Sequence, residues 1–202
     1  MTRFMLFVTC VLTCALLGVP VCADDPPKKL TAEERKELEA KWGELNTAGI
    51  KAHNAGKGDE ADKAITAALQ IARRVYAKAE FPDGHANLAA SLHNLAVLYQ
   101  SQAKYADAEP LFKDALEMYK RLFKDKDHPD LATSLNDLAF LYNSQGKYAD
   151  AEPLYKDALE MRKRLFKDKD HPALARSLNN LAGLYQSQAK YADAEQIGRA
   201  HV

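Results

Sequence analysis

Apolar residues recur at helical spacing through most of the chain. Between residues 130 and 144 they follow one another at steps of four, three and four, which places them on one side of a helix; they are Leu131, Leu135, Leu138 and Tyr142. A second stretch, about 148–166, has a similar period, and its inward positions are Ala151, Leu154, Tyr155, Ala158, Leu159 and Leu165. The pattern predicts an antiparallel pair of helices, which we call helix A and helix B.

Turn and cap residues mark the ends of these helices. Gly146 separates helix A from helix B and suits the left-handed residue that ends a helix. Pro129 and Pro172 suit the first turn of the next copy of helix A, where no backbone donor is needed. Thr31 followed by Glu34 forms a capping box, so a further helix is predicted to start there.

The helix pair is one unit of a repeat. The 43 residues His128–Asp170 match the preceding segment, His85–Asp127, at 33 positions without a gap, and the segment His171–Gln196 matches at 19 of 26. A fixed period of this length is the signature of a linear array in which each unit packs on its neighbours. We therefore predict an all-α fold of stacked helix pairs.

A divergent first copy precedes these three. It is recovered by placing Gly56 under Gly146, which also puts Gly49 under Ala139, and it is followed by a linker four residues longer around 81–84. The predicted organisation is a signal peptide (1–23), a spacer (24–30), the start of a capping helix with divergent repeat 1 (31–84), repeat 2 (85–127), repeat 3 (128–170), truncated repeat 4 (171–196) and a non-native tail (197–202).

The N-terminal 23 residues have the layout of a secretory signal. Arg3 precedes an apolar run, Phe4–Val19, and the small residues Val21 and Ala23 precede a cleavage point. The alternative is an uncleaved anchor, but the run of about 16 residues is shorter than the roughly 20 that a spanning helix needs. A lipoprotein site at Cys22 is favoured less. We therefore expect an exported protein, periplasmic or extracellular, with no membrane contact after cleavage.

The last copy departs from the others after Glu195. Gly198 occupies the position of Phe112 and Tyr155, and the rest of helix B is missing. We expect that residues 197–202 are not native and that the natural protein continues. The apolar residues left without a partner helix would favour self-association through this repeat; they are Leu178, Leu181, Leu184 and Tyr185.

The repeat resembles the tetratricopeptide repeat. The resemblance lies in the order of residue types along the unit. Helix A carries a large residue, then Leu with a small residue, then Tyr, and helix B carries Ala, an aromatic residue and a second Ala. Its length above the usual 34 residues, and the phrase LNNLAGLYQSQAKYADAE at 178–195, are similar to the kinesin-light-chain type. The resemblance is strong over 85–196 and loose over 38–80, and it implies a right-handed α-solenoid. Lys163 and Arg164 stand where a proline often ends helix B, which is a departure from the family.

Composition narrows the classes of function. Apolar content of 47% and charged content of 28% are those of a globular chain. Residues 24–196 carry 26 Lys and Arg against 28 Asp and Glu, a net charge of −2, which gives no support to a nucleic-acid or anionic-membrane partner. Cys10, Cys14 and Cys22 all lie in the signal region, so the repeats contain neither a disulfide framework nor a thiol nucleophile.

No motif for catalysis or metal binding is present in the sequence. The six histidines lack HExxH spacing, and no serine elbow, P-loop or GxGxxG occurs. His128 and His171 recur in the same DKDHP linker, which favours a loop or capping role. Asp125, Asp127 and Asp130 suggest calcium binding, but the linker lacks the Gly and the distal Glu of an EF-hand, so this alternative is favoured much less. We predict no catalytic residues, no metal and no cofactor.

The differences between copies point to a candidate binding face. Five of the ten changes between repeats 2 and 3 lie in helix A within about 120° of arc, opposite the apolar stripe, whereas the polar residues of helix B recur unchanged. Random drift on a solvated face is the alternative. The predicted binding residues are Ala90, Thr133 and Arg176; His93, Asn136 and Asn179; Asn94, Asp137 and Asn180; Val97 and Phe140, with Gly183 in the same place; and Gln100, Asn143 and Gln186.

The family resemblance gives these residues roles. It implies that this face lines a concave groove, where Asn136, Asn179 and Asn180 would hold the main chain of an extended peptide. Val97 and Phe140 would form apolar pockets, and Asp137 and Arg176 would recognise charged groups of the peptide. We expect an exported scaffold that binds a peptide or partner protein. Alternatives are the recognition arm of a longer enzyme, such as a caspase-like peptidase, and a purely structural spacer.

Overall fold

The computed structural model describes residues 29–124, 126–167 and 171–199. The predicted signal peptide and residues 200–202 of the predicted tail lie outside this range. Within it, all regular secondary structure is helical. The helices are α1 (Ala32–Asn54), α2 (Gly58–Val75), α3 (Ala86–Ser101), α4 (Tyr105–Phe123), α5 (Pro129–Ser144), α6 (Tyr148–Phe166), α7 (Pro172–Ser187) and α8 (Tyr191–Arg199).

The helices form a solenoid of four successive pairs. A three-residue turn joins the two helices of each pair, α1 with α2 through to α7 with α8, and each pair packs on the next. The first helices α1, α3, α5 and α7 also approach one another directly, whereas the described second helices do not. A stack bends toward the layer whose members are closer together, so the first helices form the inner layer. The predicted all-α solenoid is confirmed.

A left-handed residue lies in each described turn between helix A and helix B. Gly146 has φ of 72° and Gly56 has 73°, which confirms the role predicted for Gly146. In repeats 2 and 4 the same place is taken by Ala103 and Ala189, each with φ of 57°. A residue with a Cβ is strained there by about 1–2 kcal/mol.

The predicted capping box of α1 and the predicted prolines at the starts of α5 and α7 are present. The backbone N–H of Glu34 donates to Thr31 Oγ1 at 3.1 Å and that of Thr31 donates to Glu34 Oε2 at 2.8 Å, which completes the capping box. Pro129 and Pro172 occupy the first turns of α5 and α7. Both predictions are confirmed.

Histidines cap helix A from the preceding linker. His128 stacks on the ring of Phe123 at 3.6 Å, and its Nδ1 accepts the backbone N–H of Asp130 at 3.2 Å. This confirms the capping role predicted for this linker. The same arrangement joins His85 with Tyr76 and Asn87, and His171 with Phe166 and Ala173.

Small residues bring the two helices of a pair close together. Ala139, Ala151 and Ala158 are fully buried. At the place of Ala139 in repeat 1, a Cβ added to Gly49 would lie 2.5 Å from Cγ1 of Ile65, so only glycine fits that approach without a shift. Helices α1 and α2 therefore approach each other closely at Gly49.

The last described repeat corrects one expectation. Its four apolar residues in α7 are buried, because α6 lies on one side of them and α8, through Ala194 and Ile197, on the other. The absence of a partner helix was the physical reason for expecting self-association, so that reason is wrong within the described residues. Self-association itself stays a prediction. The residues concerned are Leu178, Leu181, Leu184 and Tyr185.

A recurring polar cluster, here called the inter-repeat clamp, joins one repeat to the next. Glu109 of α4 accepts hydrogen bonds from Lys113 at 2.7 Å, from Lys147 at 3.1 Å and from the hydroxyl of Tyr142 at 3.4 Å. The hydrogen bond from Lys113, together with that from Lys147, outweighs partial burial and lowers the pKa of Glu109 to about 2. The same clamp recurs at Glu152 with Lys156, Tyr185 and Lys190.

Candidate interaction surface on the inner layer

The residues that vary between copies lie on the first helices. Those of repeats 2, 3 and 4 are carried by α3, α5 and α7, which neighbour one another in the inner layer. The structure divides them into a polar ladder, an apolar row and flanking polar positions, as described below.

The polar ladder consists of hydrogen-bonded pairs between successive first helices. Every pair uses the same two positions of helix A. The residue from the later repeat lies one position further along its helix than the residue from the earlier repeat. The pairs are Asn46 with Asn94 at 2.8 Å, His93 with Asp137 at 3.2 Å, and Asn136 with Asn180 at 3.0 Å. The residue types change together from pair to pair, so contact between repeats accounts for part of the variation at these positions.

Asn136 is the most buried of the predicted binding residues. It is 2% exposed, its Oδ1 accepts from Asn180 and from Arg162 at 3.5 Å, and its Nδ2 donates to Asp137 at 2.9 Å. A ligand in solvent therefore does not reach this amide without displacing internal partners. Its role in peptide binding stays a prediction, whereas its contacts between repeats are observed.

Asp137 carries the charge of the ladder. Burial raises the pKa of this carboxyl, but the hydrogen bond and charge of His93, the amide of Asn136 and the charge of Arg176 more than offset that effect. The pKa of Asp137 therefore lies below its ordinary value. The carboxylate is ionised and held between two repeats.

Sequence reasoning missed Arg162 of α6. This guanidinium is 1% exposed, and it donates to Ser177, to the carbonyl of Ala173 at 3.2 Å, and to Thr133 at 3.4 Å, besides Asn136. Burial first, and the charge of Arg176 second, lower the pKa of Arg162 to about 10. No carboxylate among the described residues bonds to it. The available signal was the change from Tyr119 in repeat 2 to Arg162 in repeat 3.

An apolar row runs along the inner layer beside the ladder. It consists of Ile50, Val97 and Phe140, which occupy equivalent places in α1, α3 and α5, and Gly183 occupies that place in α7. Ile50 is 39% exposed and Phe140 47%, the largest exposures of big apolar side chains in the described residues. Ile50 was also missed, although the alignment of Gly56 with Gly146 places it under Phe140.

Polar positions flank the apolar row. Ala90 and Thr133 are half-buried, while Arg176 and Asn179 are exposed. On the other side are Gln100 and Asn143, both half-buried, and the exposed Gln186. Gln100 Nε2 and Asn143 Oδ1 are buried atoms that find no hydrogen-bond partner within the described part of the chain. Buried polar atoms of folded proteins are rarely left unpaired.

The described residues hold no group of three or more His, Cys, Asp or Glu side chains that could bind a metal ion. Asp127, from the linker considered for calcium, is engaged in a two-point ion pair with Arg164, with both contacts at 2.7 Å. None of the described helices is long and apolar enough to cross a membrane.

Family comparison agrees with the repeat. The family model for the tetratricopeptide repeat matches residues 44–121, 87–164 and 130–201, whose starts are 43 residues apart. No curated protein sequence matches the chain significantly.

Solved structures share the fold. The chain is similar to BtubC (BKLC) from P. vanneervenii, with a TM-score of 0.70 and 23% identity, over 87% of this chain and 66% of that one. It therefore spans slightly less than two thirds of that protein. It is also similar to a kinesin-light-chain-like protein with nearly identical repeats from Podosopora anserina, with a TM-score of 0.64 and 21% identity, over 86% of this chain and 77% of that one.

Proposed function

Since the chain belongs to the tetratricopeptide repeat family, we propose that it is an interaction scaffold whose inner layer binds an extended segment of a partner protein. In this proposal the chain is not an enzyme. Its ligand lies along the stack and crosses α1, α3, α5 and α7 in turn.

The apolar row is the observation that carries the proposal. Soluble proteins rarely leave large apolar side chains in a row on the surface unless something covers them. Ile50 and Phe140 are such side chains, and Val97 lies at the equivalent position between them. We infer that apolar side chains of the ligand pack on this row.

The flanking polar residues suit the main chain of the ligand. An extended peptide presents unpaired N–H and C=O groups, each of which needs a partner when it leaves water. The side chains of Gln100, Asn143 and Gln186 lie along one side of the row, and the exposed amide of Gln186 offers both a donor and an acceptor. On the other side, the exposed Arg176 and Asn179 are available for an acidic or polar group of the ligand.

The ladder has a supporting role in this proposal. Asn94, Asn136, Asp137 and Asn180 already bond between repeats, Asp137 through His93. They fix the spacing of the first helices and hence the spacing of the row. Ligand recognition is assigned instead to the apolar row and its flanks.

A peptide selection followed by point variants tests the assignment. We expect peptides selected on the wild-type protein to bind Phe140→Ala at least tenfold more weakly, and Ile50→Ala several-fold more weakly. Glu160→Ala, an exposed change on the outer layer, is the control and should stay within twofold of wild type. Selected peptides that bind both inner-layer variants as tightly as wild type would remove the assignment.

We also propose that the protein is exported, with cleavage after Ala23. The support is the charged, apolar and small-residue order of the first 23 residues. Expression of the full chain in a secreting host should yield a mature protein that begins at Asp24, as read by N-terminal sequencing. Recovery of the chain inside the cell with Met1 intact would contradict this.

A further inference from the structure

The linker between repeats 1 and 2 differs from the next linker along the chain. It runs from residue 76 to residue 85, whereas the linker between α4 and α5 has only the residues 124–128. Beside the longer linker lies a pocket of about 330 Å³, a size at the lower end of that of small-molecule sites. Its lining includes Lys78, Phe81, Gly84, Leu88, Met118 and Arg121.

The equivalent place in the next repeat holds an ion pair. There Asp127 of the linker binds Arg164 of α6 with two contacts, Nε to Oδ2 and Nη2 to Oδ1, both at 2.7 Å. A two-point arginine–carboxylate pair of this kind is strong and geometrically specific. The linker carboxylate therefore satisfies that arginine.

The repeat that follows the longer linker has the equivalent arginine but lacks the linker carboxylate. Arg121 of α4 is the counterpart of Arg164, 43 residues earlier, and Gly84 is the counterpart of Asp127. Gly84 has φ of 93°, and a Cβ there would lie 2.5 Å from Cγ of Met118. A side chain, and with it an internal carboxylate, does not fit at this position.

The two cations that line the pocket are therefore open to an external anion. Lys78 and Arg121 are both exposed, and neither forms an ion pair with a carboxylate in the described ranges. The lining residues include no acidic side chain. The lining also includes the apolar side chains of Phe81, Leu88 and Met118.

We propose that this linker pocket binds a small carboxylate with an apolar body. Its carboxylate takes, at Arg121, the position that the carboxylate of Asp127 takes at Arg164. Lys78 supplies a second positive charge, and the apolar body packs on Phe81, Leu88 and Met118. This site is separate from the apolar row of the inner layer, so it does not depend on the proposed peptide binding.

Calorimetric titration of the full chain with 3-phenylpropionate tests the proposal, with 3-phenylpropionamide as the neutral probe of the same shape. We expect wild type to bind the carboxylate at millimolar concentration or below, and to bind the amide at least tenfold more weakly. Arg121→Gln should weaken carboxylate binding at least tenfold. Arg164→Gln is the matched control, because it removes the same charge where Asp127 already binds it, and it should stay within twofold.

Three results would overturn the proposal. The first is the lack of carboxylate binding by folded wild type at 20 mM probe, and the second is equal binding of acid and amide. The third is an equal loss in Arg121→Gln and Arg164→Gln, because that would indicate a general effect of charge. Circular dichroism of both variants establishes that they are folded, and an unchanged affinity in Phe140→Ala separates this site from the apolar row.

Discussion

The side-chain amide of Asn180 donates a hydrogen bond to Oδ1 of Asn136 across the boundary between two repeats, at 3.0 Å. Its equivalents are the contact of Asn94 with Asn46 and that of His93 with Asp137. Three successive junctions therefore use the same two positions of helix A. The residues chosen from sequence as ligand contacts are, at these positions, also the contacts that hold one repeat against the next.

Breaking this pair should destabilise the array. Asn136→Ala leaves donors of Asn180 and Arg162 without their acceptor, and we expect a loss of about 1–3 kcal/mol in the free energy of unfolding by urea. Asn180→Ala should cost about 1 kcal/mol, and the double variant should cost less than the sum. Asn179→Ala changes an exposed neighbour and serves as the control. Strict additivity of the two changes would contradict a direct pair.

Arg162 should matter more than the arginine two residues along. Its guanidinium is buried and donates to α5 and α7, so Arg162→Ala leaves both a cavity and unpaired acceptors such as Ser177. We expect a loss of roughly 2–4 kcal/mol in unfolding free energy. Arg164→Ala, at an exposed position, should lower the thermal midpoint much less. Equal shifts of the midpoint would argue against a bridging role for Arg162.

The left-handed residue in the turn between helix A and helix B can be exchanged between alanine and glycine in both directions. Ala103→Gly relieves a left-handed alanine, and we expect it to stabilise the protein by about 1 kcal/mol. Gly146→Ala imposes the same strain on repeat 3 and should destabilise it by a similar amount. Chemical denaturation of both variants measures the two changes. Shifts of the same sign would be inconsistent with the observed backbone conformation.

Acid should weaken the inter-repeat clamp. The pKa of Glu109 is lowered to about 2, so its stabilising contribution is complete above about pH 4.5 and is lost as the pH falls toward 2. Glu109→Gln should cost about 1 kcal/mol at pH 7, since solvent screens this partly exposed group. Unfolding measured from pH 7 to pH 2 should bring the two proteins together at the acid end. A constant difference across that range would contradict the lowered pKa.

Contacts within a repeat could be predicted from the sequence. The apolar stripe, the turn at Gly146, the capping box at Thr31 and the histidine caps all depend on residues close in the chain. Their local spacing determines their geometry, so the helix bounds of repeat 3 were predicted to within a residue.

Contacts between repeats were harder to predict. The ladder and the clamp at Glu109 join residues 33–48 positions apart. The bridge from Arg162 reaches Ala173 and Ser177 in the next repeat, 11 and 15 positions away. All three depend on how one helix pair is set against the next. A single sequence does not specify that setting. It indicates only that the positions vary, which led to a ligand role for Asn136 before its internal partners were known. To predict the role of the exposed Ile50, the divergent first repeat would have to be aligned with repeat 3 at every position.

The shifts of backbone amide signals on addition of a selected peptide test most directly whether the inner layer is the binding surface. Spectra of the isotope-labelled full chain should shift most around Ile50, Val97 and Phe140, with smaller changes at Gln100 and Asn143. Amides of the outer helices α2, α4 and α6 should stay close to their positions without peptide. Shifts confined to those outer helices, with the apolar row unchanged, would contradict the proposed binding surface.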